Sequence, residues 1–341
     1  MNNAGIKKGN IALFVPHNGC PHQCSFCDQR SITGRNRQPS ADDVHAAVRT
    51  ALSNGRKYDF EIAFFGGSFT AIDREYMISL LKAAHGYVSN GAVSGIRIST
   101  RPDCIDEDVL SVLKKYGVTS IELGAQSMCD EVLKANLRGH TSLDAEKASE
   151  MIKAGGFSLG LQMMTGLYKS SRERDIYTAE RIIALAPDTV RIYPTVTLKN
   201  TLLGQLYKNG EYTPPTLEES VDLCALLLEM FEQNNIEVIR LGLHYSEELI
   251  GSMECGNYHP AFRELCESRI MLGRFYKEIK DTELENGGSA EVYVHPSCVS
   301  KFTGQKRANI EILKKRGINV RVRTDSGIAP LQLKITAVNG K

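Results

Sequence analysis

The sequence predicts an α/β chain: a partial parallel barrel of the (β/α)6 type, followed by a small α+β extension. Three observations predict it. Short runs of β-branched and aromatic residues alternate with amphipathic helical stretches over roughly the first two-thirds of the chain, the βαβα pattern of a parallel sheet with helices outside. Polar loops rich in Gly, Ser and Cys follow several of the strands, at the end where such folds gather ligands. The composition is that of an ordinary globular protein, with 42% hydrophobic and 24% charged residues in 341. That length suggests about two domains at roughly 100–200 residues each.

Taken in order, residues 10–15 (NIALFV) read as the first strand. A Cys-rich loop follows, then a helix over 40–53 with Ser40 as N-cap. Residues 61–65 (EIAFF) form a buried-type strand, 73–85 a helix, 95–100 a strand and 106–116 a helix. Residues 118–123 are a strand, 129–135 and 142–154 helices, 158–163 a strand, 171–185 a helix and 189–193 a strand. A long helix covers 217–234 and a strand 237–241. In the tail, 290–295 is a strand, 297–302 a short helix, 308–316 a helix, and 318–323 and 331–336 are strands. The expected organisation is a barrel over 1–245, a helical connector over 246–289 and a basic α+β module over 290–341.

No apolar run reaches the ~18 residues of a membrane helix. The opening MNNAGIKKGN lacks the apolar core of a secretory signal, so a cytoplasmic protein with no membrane partner is expected. Nine cysteines, an odd number spread over a long chain, argue for reduced thiols and against a disulfide scaffold. The net charge of +1 hides an asymmetry: residues 291–341 carry ten Lys/Arg against three Asp/Glu. A basic tail therefore follows an acidic body, a pattern that can mark an anion-binding surface.

The most specific motif follows the first strand: Cys20-Pro-His-Gln-Cys24-Ser-Phe26-Cys27, a C-x3-C-x2-C cluster. Zinc sites use four protein ligands, commonly from C-x2-C pairs, and His17 or His22 would have to complete such a site here. Iron–sulfur clusters are held by thiolates, and three on a four-iron cluster leave one iron for another ligand. The second motif, Phe64-Phe65-Gly66-Gly67-Ser68-Phe69-Thr70, sits at a strand end, where paired glycines allow close approach of a ligand. Ser99-Thr100-Arg101-Pro102-Asp103 and Glu122-Leu123-Gly124-Ala125-Gln126-Ser127 end the next two strands, and Leu137-Arg138-Gly139-His140-Thr141 follows.

The cysteine loop, with aromatic Phe26 before its last cysteine, resembles the signature of radical S-adenosylmethionine (SAM) enzymes. That resemblance implies a [4Fe–4S] cluster on Cys20, Cys24 and Cys27, with SAM chelating the open iron. It implies SAM contacts from Phe26, from Gly66, Gly67 and Ser68, from Ser99 and Gln126 near the ribose, and from Arg138 at the methionine carboxylate. It also implies an electron donor such as ferredoxin or flavodoxin. The motifs STRPD, ELGAQS with RGHT, Gln162-Met163-Met164 before Gly166-Leu167, and Arg191-Ile192-Tyr193-Pro194-Thr195 are similar to one branch of that superfamily. It comprises the Elongator catalytic subunit and its shorter bacterial relatives. The oxygen-independent coproporphyrinogen III oxidases are a more distant resemblance. The chain departs from Elongator in lacking room for an acetyltransferase domain after the barrel, and in Tyr168 where many relatives have Pro. Tyr193 and Lys199, after a late strand, are candidates for substrate contact and catalysis.

Cys255, His259 and Cys266 have poor zinc spacing and read as structural. The β-α-turn-α-β-β order of the tail, with Gly304-Gln305-Lys306-Arg307 between its helices, resembles a degenerate KH domain. A KH loop clamps a nucleic-acid backbone with GXXG, and here Arg307 stands in place of the second glycine. Lys306 and Arg307 are the candidate phosphate contacts. The leading functional expectation is a radical SAM enzyme acting on RNA, a tRNA base above all. The alternatives are a radical SAM enzyme acting on a small molecule such as a tetrapyrrole, and a non-catalytic, metal-containing nucleic-acid-binding protein.

Overall fold

The computed structural model describes residues 7–16, 22–28, 37–53 and 58–337. Its main sheet is parallel throughout, with seven strands in chain order. These are β1 (Lys7–Val15), β2 (Tyr58–Gly66), β3 (Gly95–Thr100), β4 (Val118–Gln126), β5 (Ser158–Thr165), β6 (Thr189–Pro194) and β8 (Glu237–Leu241). The sheet curls into a half-barrel, as the alternation predicts. The helices between strands are α1 (Ala41–Ser53), α2 (Arg74–Ser89), α3 (Glu107–Lys115), α4 (Asp130–Ala135), α5 (Ser142–Ala154) and α6 (Arg172–Ala184).

Side-chain alternation builds the core. Ile11, Leu13, Ile62, Phe64, Ile96, Ile98, Ile121, Leu123, Leu159, Leu161, Val190 and Ile192 are buried at every second strand position and share the face that packs under the helices. The other face is polar, carrying Glu61, Arg97, Glu122, Gln162 and Arg191. Helix starts are set by side-chain caps. Asp73 accepts from Tyr76 N, Asp106 from Val109 N and Ser171 from Arg174 N, while Thr141 and Asp144 form a capping box. Ser40 caps α1 as expected, with Asp43 reaching back to its backbone N–H at 2.7 Å.

Beyond β6 come β7 (Val196–Leu198), α7 (Leu202–Lys208), α8 (Leu217–Gln233), α9 (Glu247–Ser252) and β9 (Met253–Gly256). Strands β7 and β9 pair antiparallel as a two-stranded ribbon.

The chain forms two compact units, Met1–Pro215 with Phe231–Asn257, and Thr216–Met230 with Tyr258–Lys341. The second contains α10 (Phe262–Ile279), β10 (Gly288–Val294), α11 (Val299–Thr303), α12 (Ala308–Lys315), β11 (Ile318–Thr324) and β12 (Leu333–Ala337). Its sheet has the order β11–β10–β12, with β10 parallel to β11 and antiparallel to β12. Helix α10, in the stretch expected as a connector, supplies part of this unit's core: Met271, Phe275 and Ile279 pack with Val292, Val294, Phe302 and Leu313. An amphipathic helix of 18 residues cannot stand alone in water, so its apolar stripe goes into the small sheet. Among the described residues no helix is long and apolar enough to cross a membrane.

Candidate active site

Cys24, in the stretch after β1, is buried. Cys27 N–H donates to Cys24 O at 3.1 Å, a tight turn that brings these two cysteines together. Cys20 and His17 lie outside the described residues. Phe26 is half-buried between the two cysteines.

Asn136, after α4, anchors this turn. Its backbone oxygen accepts from Ser25 N at 3.1 Å, and its Oδ1 accepts from Ser25 Oγ at 2.6 Å. Its Nδ2 donates to Val132 O and Tyr168 O, so one fully buried amide joins the cysteine loop, α4 and the loop after β5. Leu203 N, in the first turn of α7, donates to Ser25 O at 2.8 Å.

Two buried arginines stand behind this turn, and one of them touches Cys24. Arg138 Nη1 donates to Cys24 Sγ at 3.1 Å and its Nη2 to Gly124 O at 2.5 Å. Arg101 is gripped by Asp103 through Nε and Nη2, each at 2.9 Å, and Nη2 also donates to Arg138 O. Burial is the strongest single influence on the Arg101 charge and works against it, but the Asp103 carboxylate, with smaller help from Cys24 and Cys104, keeps the guanidinium's pKa above its ordinary value. His140 behaves oppositely. Burial first, then the charges of Arg138 and Arg101, push it down to about 4, so it is neutral at pH 7.

The glycines make room for this arrangement. A Cβ on Gly66, at φ +121°, would lie 2.3 Å from Val15 O, and Gly67 N donates to that same oxygen at 3.1 Å. A Cβ on Gly124 would crowd Gln126 Nε2 at 2.9 Å, and one on Gly139 would strike the His22 ring. Gln126 itself ends β4 in the left-handed region at φ 65°, a costly conformation for a non-glycine residue and one that clusters at functional sites.

Several of the groups expected to meet SAM divide into two kinds. Ser99 Oγ, Gln126 Oε1 and Arg138 Nε are buried without a hydrogen-bond partner among the described residues, as is Nη1 of Arg101, for which no such contact was expected. Buried polar atoms left this way cost free energy unless something pairs with them. Ser68 is instead engaged within the protein: its Oγ lies 2.7 Å from Thr100 Oγ1 and accepts from Arg101 N at 3.2 Å. A donor set of thiols beside guanidinium groups, ringed by unpaired polar atoms, fits an anionic sulfur-ligated cluster and a polar nucleotide.

Below this rim the polar face holds a charged layer. Glu122, 1% exposed, accepts from Arg191 at 2.7 and 2.8 Å, from Arg97 at 3.0 Å and from Gln162 at 3.0 Å. Arg97 also grips Glu61 at 2.8 and 2.9 Å, and Arg191 lies 5.2 Å over the Phe65 ring. Tyr193 neighbours Arg191 on this face, and burial raises its pKa above the usual phenol value. Lys199 is exposed, and its ammonium hydrogen-bonds to Gly251 O at 2.9 Å.

The strand ends thus bring together Cys24, Cys27, Ser99, Gln126 and Arg138. Lys306 and Arg307 belong to the second unit, where they are exposed, left-handed at φ 51° and 65°, and precede α12. Cys266 is buried, which pushes its thiol pKa well up, and His259 Nδ1 accepts from Ala261 N at 3.1 Å, so both serve structure. Sequence reasoning gave no role to Arg101, Asp103, Asn136 or Glu122. One signal was available: Glu61, Arg97, Glu122 and Arg191 are charges at alternate positions of otherwise apolar strands.

Comparisons with known proteins bear on the family and the fold. A family profile described as Radical SAM superfamily matches residues 14–182, and one described as Radical_SAM C-terminal domain matches 187–271. Elongator complex protein 3 of Schizosaccharomyces pombe is 27% identical over 336 residues, 88% of this chain and 60% of that protein. The tRNA uridine(34) acetyltransferase of Methanocaldococcus jannaschii is 27% identical over 256 residues, 63% of this chain and 47% of that protein. The chain therefore spans about half to three-fifths of the length of these relatives. The solved archaeal Methanocaldococcus infernus Elp3, at 21% identity, shares the fold with a TM-score of 0.62 over 80% of this chain and 63% of its own. Sequence profiles, fold and the strand-end cysteines converge, and the chain belongs to the radical SAM superfamily of enzymes, which use S-adenosylmethionine and a [4Fe–4S] cluster.

Proposed function

We propose that this chain is a radical SAM enzyme that modifies RNA, a tRNA base above all, with Cys20, Cys24 and Cys27 holding its [4Fe–4S] cluster. When bound, the cluster and SAM together supply a 5′-deoxyadenosyl radical able to take a hydrogen atom from the substrate. The observation that carries this reading is the Cys24 thiol at the strand ends, 3.1 Å from a buried guanidinium, among polar atoms with no partner in the described residues.

The chain's own residues divide the work. Asn136 and Ser25 hold the cysteine turn in one conformation. Arg138 Nε is a donor suited to a carboxylate, and Ser99 Oγ and Gln126 Oε1 suit ribose hydroxyls. Gly66 turns the chain where a Cβ would strike Val15 O, and the carbonyl oxygens of this turn suit an amino group. The Glu122–Arg97–Arg191 layer closes the floor with satisfied charges, and Tyr193 stands on the same wall toward the substrate. The electron comes from a small donor such as ferredoxin or flavodoxin, in the cytoplasm.

Two observations support RNA as the substrate. One is the likeness to a tRNA uridine(34) acetyltransferase, and the other is the excess of Lys and Arg in the tail, where Lys306 and Arg307 are exposed. Acetyl transfer is not part of the proposal. The test is anaerobic iron–sulfide reconstitution followed by SAM and reductant. A brown protein releasing 5′-deoxyadenosine is expected, and Cys24→Ala should lose both. A cluster-loaded protein that releases none rejects the reading. Mass spectrometry of RNA from a strain lacking the chain should show a missing modification; intact RNA points to a small-molecule substrate.

A further inference from the structure

Arg101 and Arg138 do more than line the site. Both are buried, 4% and 6% exposed, and both are wired to Cys24. Arg138 touches the sulfur directly, at 3.1 Å. Arg101 stands one step behind: Asp103 fixes its guanidinium through two 2.9 Å bonds, and it donates in turn to the backbone oxygen of Arg138. Ser68 Oγ, itself held by Thr100, accepts the Arg101 N–H, so the clamp is anchored at β2 and β3 as well.

The balance of charge is specific. Asp103 neutralises Arg101, and His140 is neutral, which leaves Arg138 as the uncompensated cation among these groups. A buried cation is costly without an anion, and the sulfur it contacts is the partner this chain supplies. A thiolate accepting a charge-assisted hydrogen bond loses electron density, and a positive charge nearby favours the more negative, reduced state of a cluster ligated through it.

We infer that Arg138, positioned by the Arg101–Asp103 clamp, tunes the reduction potential of the cluster by donating to the Cys24 sulfur. The inference rests on the reading of Cys24 as a cluster ligand. Arg138 thereby acts on the metal side of the site as well as the nucleotide side. Its Nη1 serves the sulfur, while the unpaired Nε remains for a carboxylate. Arg101 and Asp103 are positioning residues that work through it.

The test is an electron-paramagnetic-resonance redox titration of the reconstituted full chain without SAM, so the readout is a potential and not turnover. Arg138→Gln should make the cluster harder to reduce, lowering the reduction equilibrium about tenfold, equivalent to about 59 mV for one electron. Arg138→Lys keeps the charge without the fork and should fall between. Arg101→Lys and Asp103→Asn should shift the potential in the same direction by less. Unchanged potentials in Arg138→Gln and Arg101→Lys, with the cluster intact, overturn the inference. If Arg138→Gln takes up no iron while Arg138→Lys does, the potential of Arg138→Lys decides: a value below wild type supports the inference and an unchanged one overturns it. If neither holds iron, Arg138 is a structural prop and the inference falls. A wild-type chain that takes up no cluster sinks the underlying reading instead.

Discussion

The barrel's strand ends and polar face handle cations differently from the sheet and turn of the second unit. At the strand ends and polar face they are buried and committed: Arg101, Arg138, Arg97 and Arg191 reach carboxylates, carbonyl oxygens or a sulfur. In the second unit Arg321 and Arg323 keep side-chain exposures of 72% and 47% and share Glu291. Lys306 and Arg307 lie open at a strained turn. Desolvation explains the contrast. A charge inside the half-barrel is tolerated only with geometry that leaves little freedom. A surface charge stays solvated and remains free to meet a mobile anion.

The sharpest way to break this comparison is to remove one carboxylate from each unit. Glu122→Ala leaves Arg97 and Arg191 without their shared anion and should cost about 3–5 kcal/mol of stability, a large fall in the melting midpoint. Glu291→Ala should leave that midpoint unmoved, because water replaces it beside Arg321 and Arg323. Equal effects in calorimetry would mean that the barrel network is as dispensable as the surface one.

Asp175 refines the point, as a buried carboxylate with no cation on it among the described residues. It accepts from Gly166 N at 2.8 Å and Ser170 Oγ at 2.6 Å, yet burial raises its pKa to about 6. A folded value above the unfolded one stabilises the protein below about pH 4, and that contribution is lost as pH rises through about 6. The shift corresponds to about 3 kcal/mol at most. Asp175→Asn should flatten this part of the pH–stability curve in denaturant titrations. His140, with its folded value lowered to about 4, works in the other sense over a window reaching 6.5, so the comparison must be variant against wild type. An Asp175→Asn curve parallel to wild type would show that the group titrates normally.

The smallest stability effect and the clearest binding effect belong to the second unit. Lys306→Ala with Arg307→Ala should change stability by within about 0.5 kcal/mol. If these side chains neutralise RNA phosphates, the salt dependence of binding should fall by about one unit of slope for each phosphate no longer held. An unchanged slope would remove this turn from the RNA surface.

Much of the fold was legible because apolar residues recur with period two in the strands and near 3.6 in the helices, and caps such as Asp106 and Ser171 mark helix starts. The cysteine loop, Gln126 and Arg138 were singled out by a family resemblance, and the structure sets Gln126 at the end of β4 and Arg138 in the turn after α4, against Cys24. The clamp was not. Arg101 and Asp103 are two residues apart, but the sulfur they serve through Arg138 is more than seventy positions away. Nor did α10 announce that its apolar stripe belongs with β10, since a stripe shows only that a partner exists.

Sequence alone determined the period of each element, the parallel order that follows from βαβ alternation, and the kinds of ligand that three close cysteines can take. Tertiary structure alone decided which buried charges meet: Glu122 with Arg97 and Arg191, and Arg138 with Cys24. The physical reason is range. Periodicity and capping act within a few residues, whereas a desolvated charge selects its partner through space.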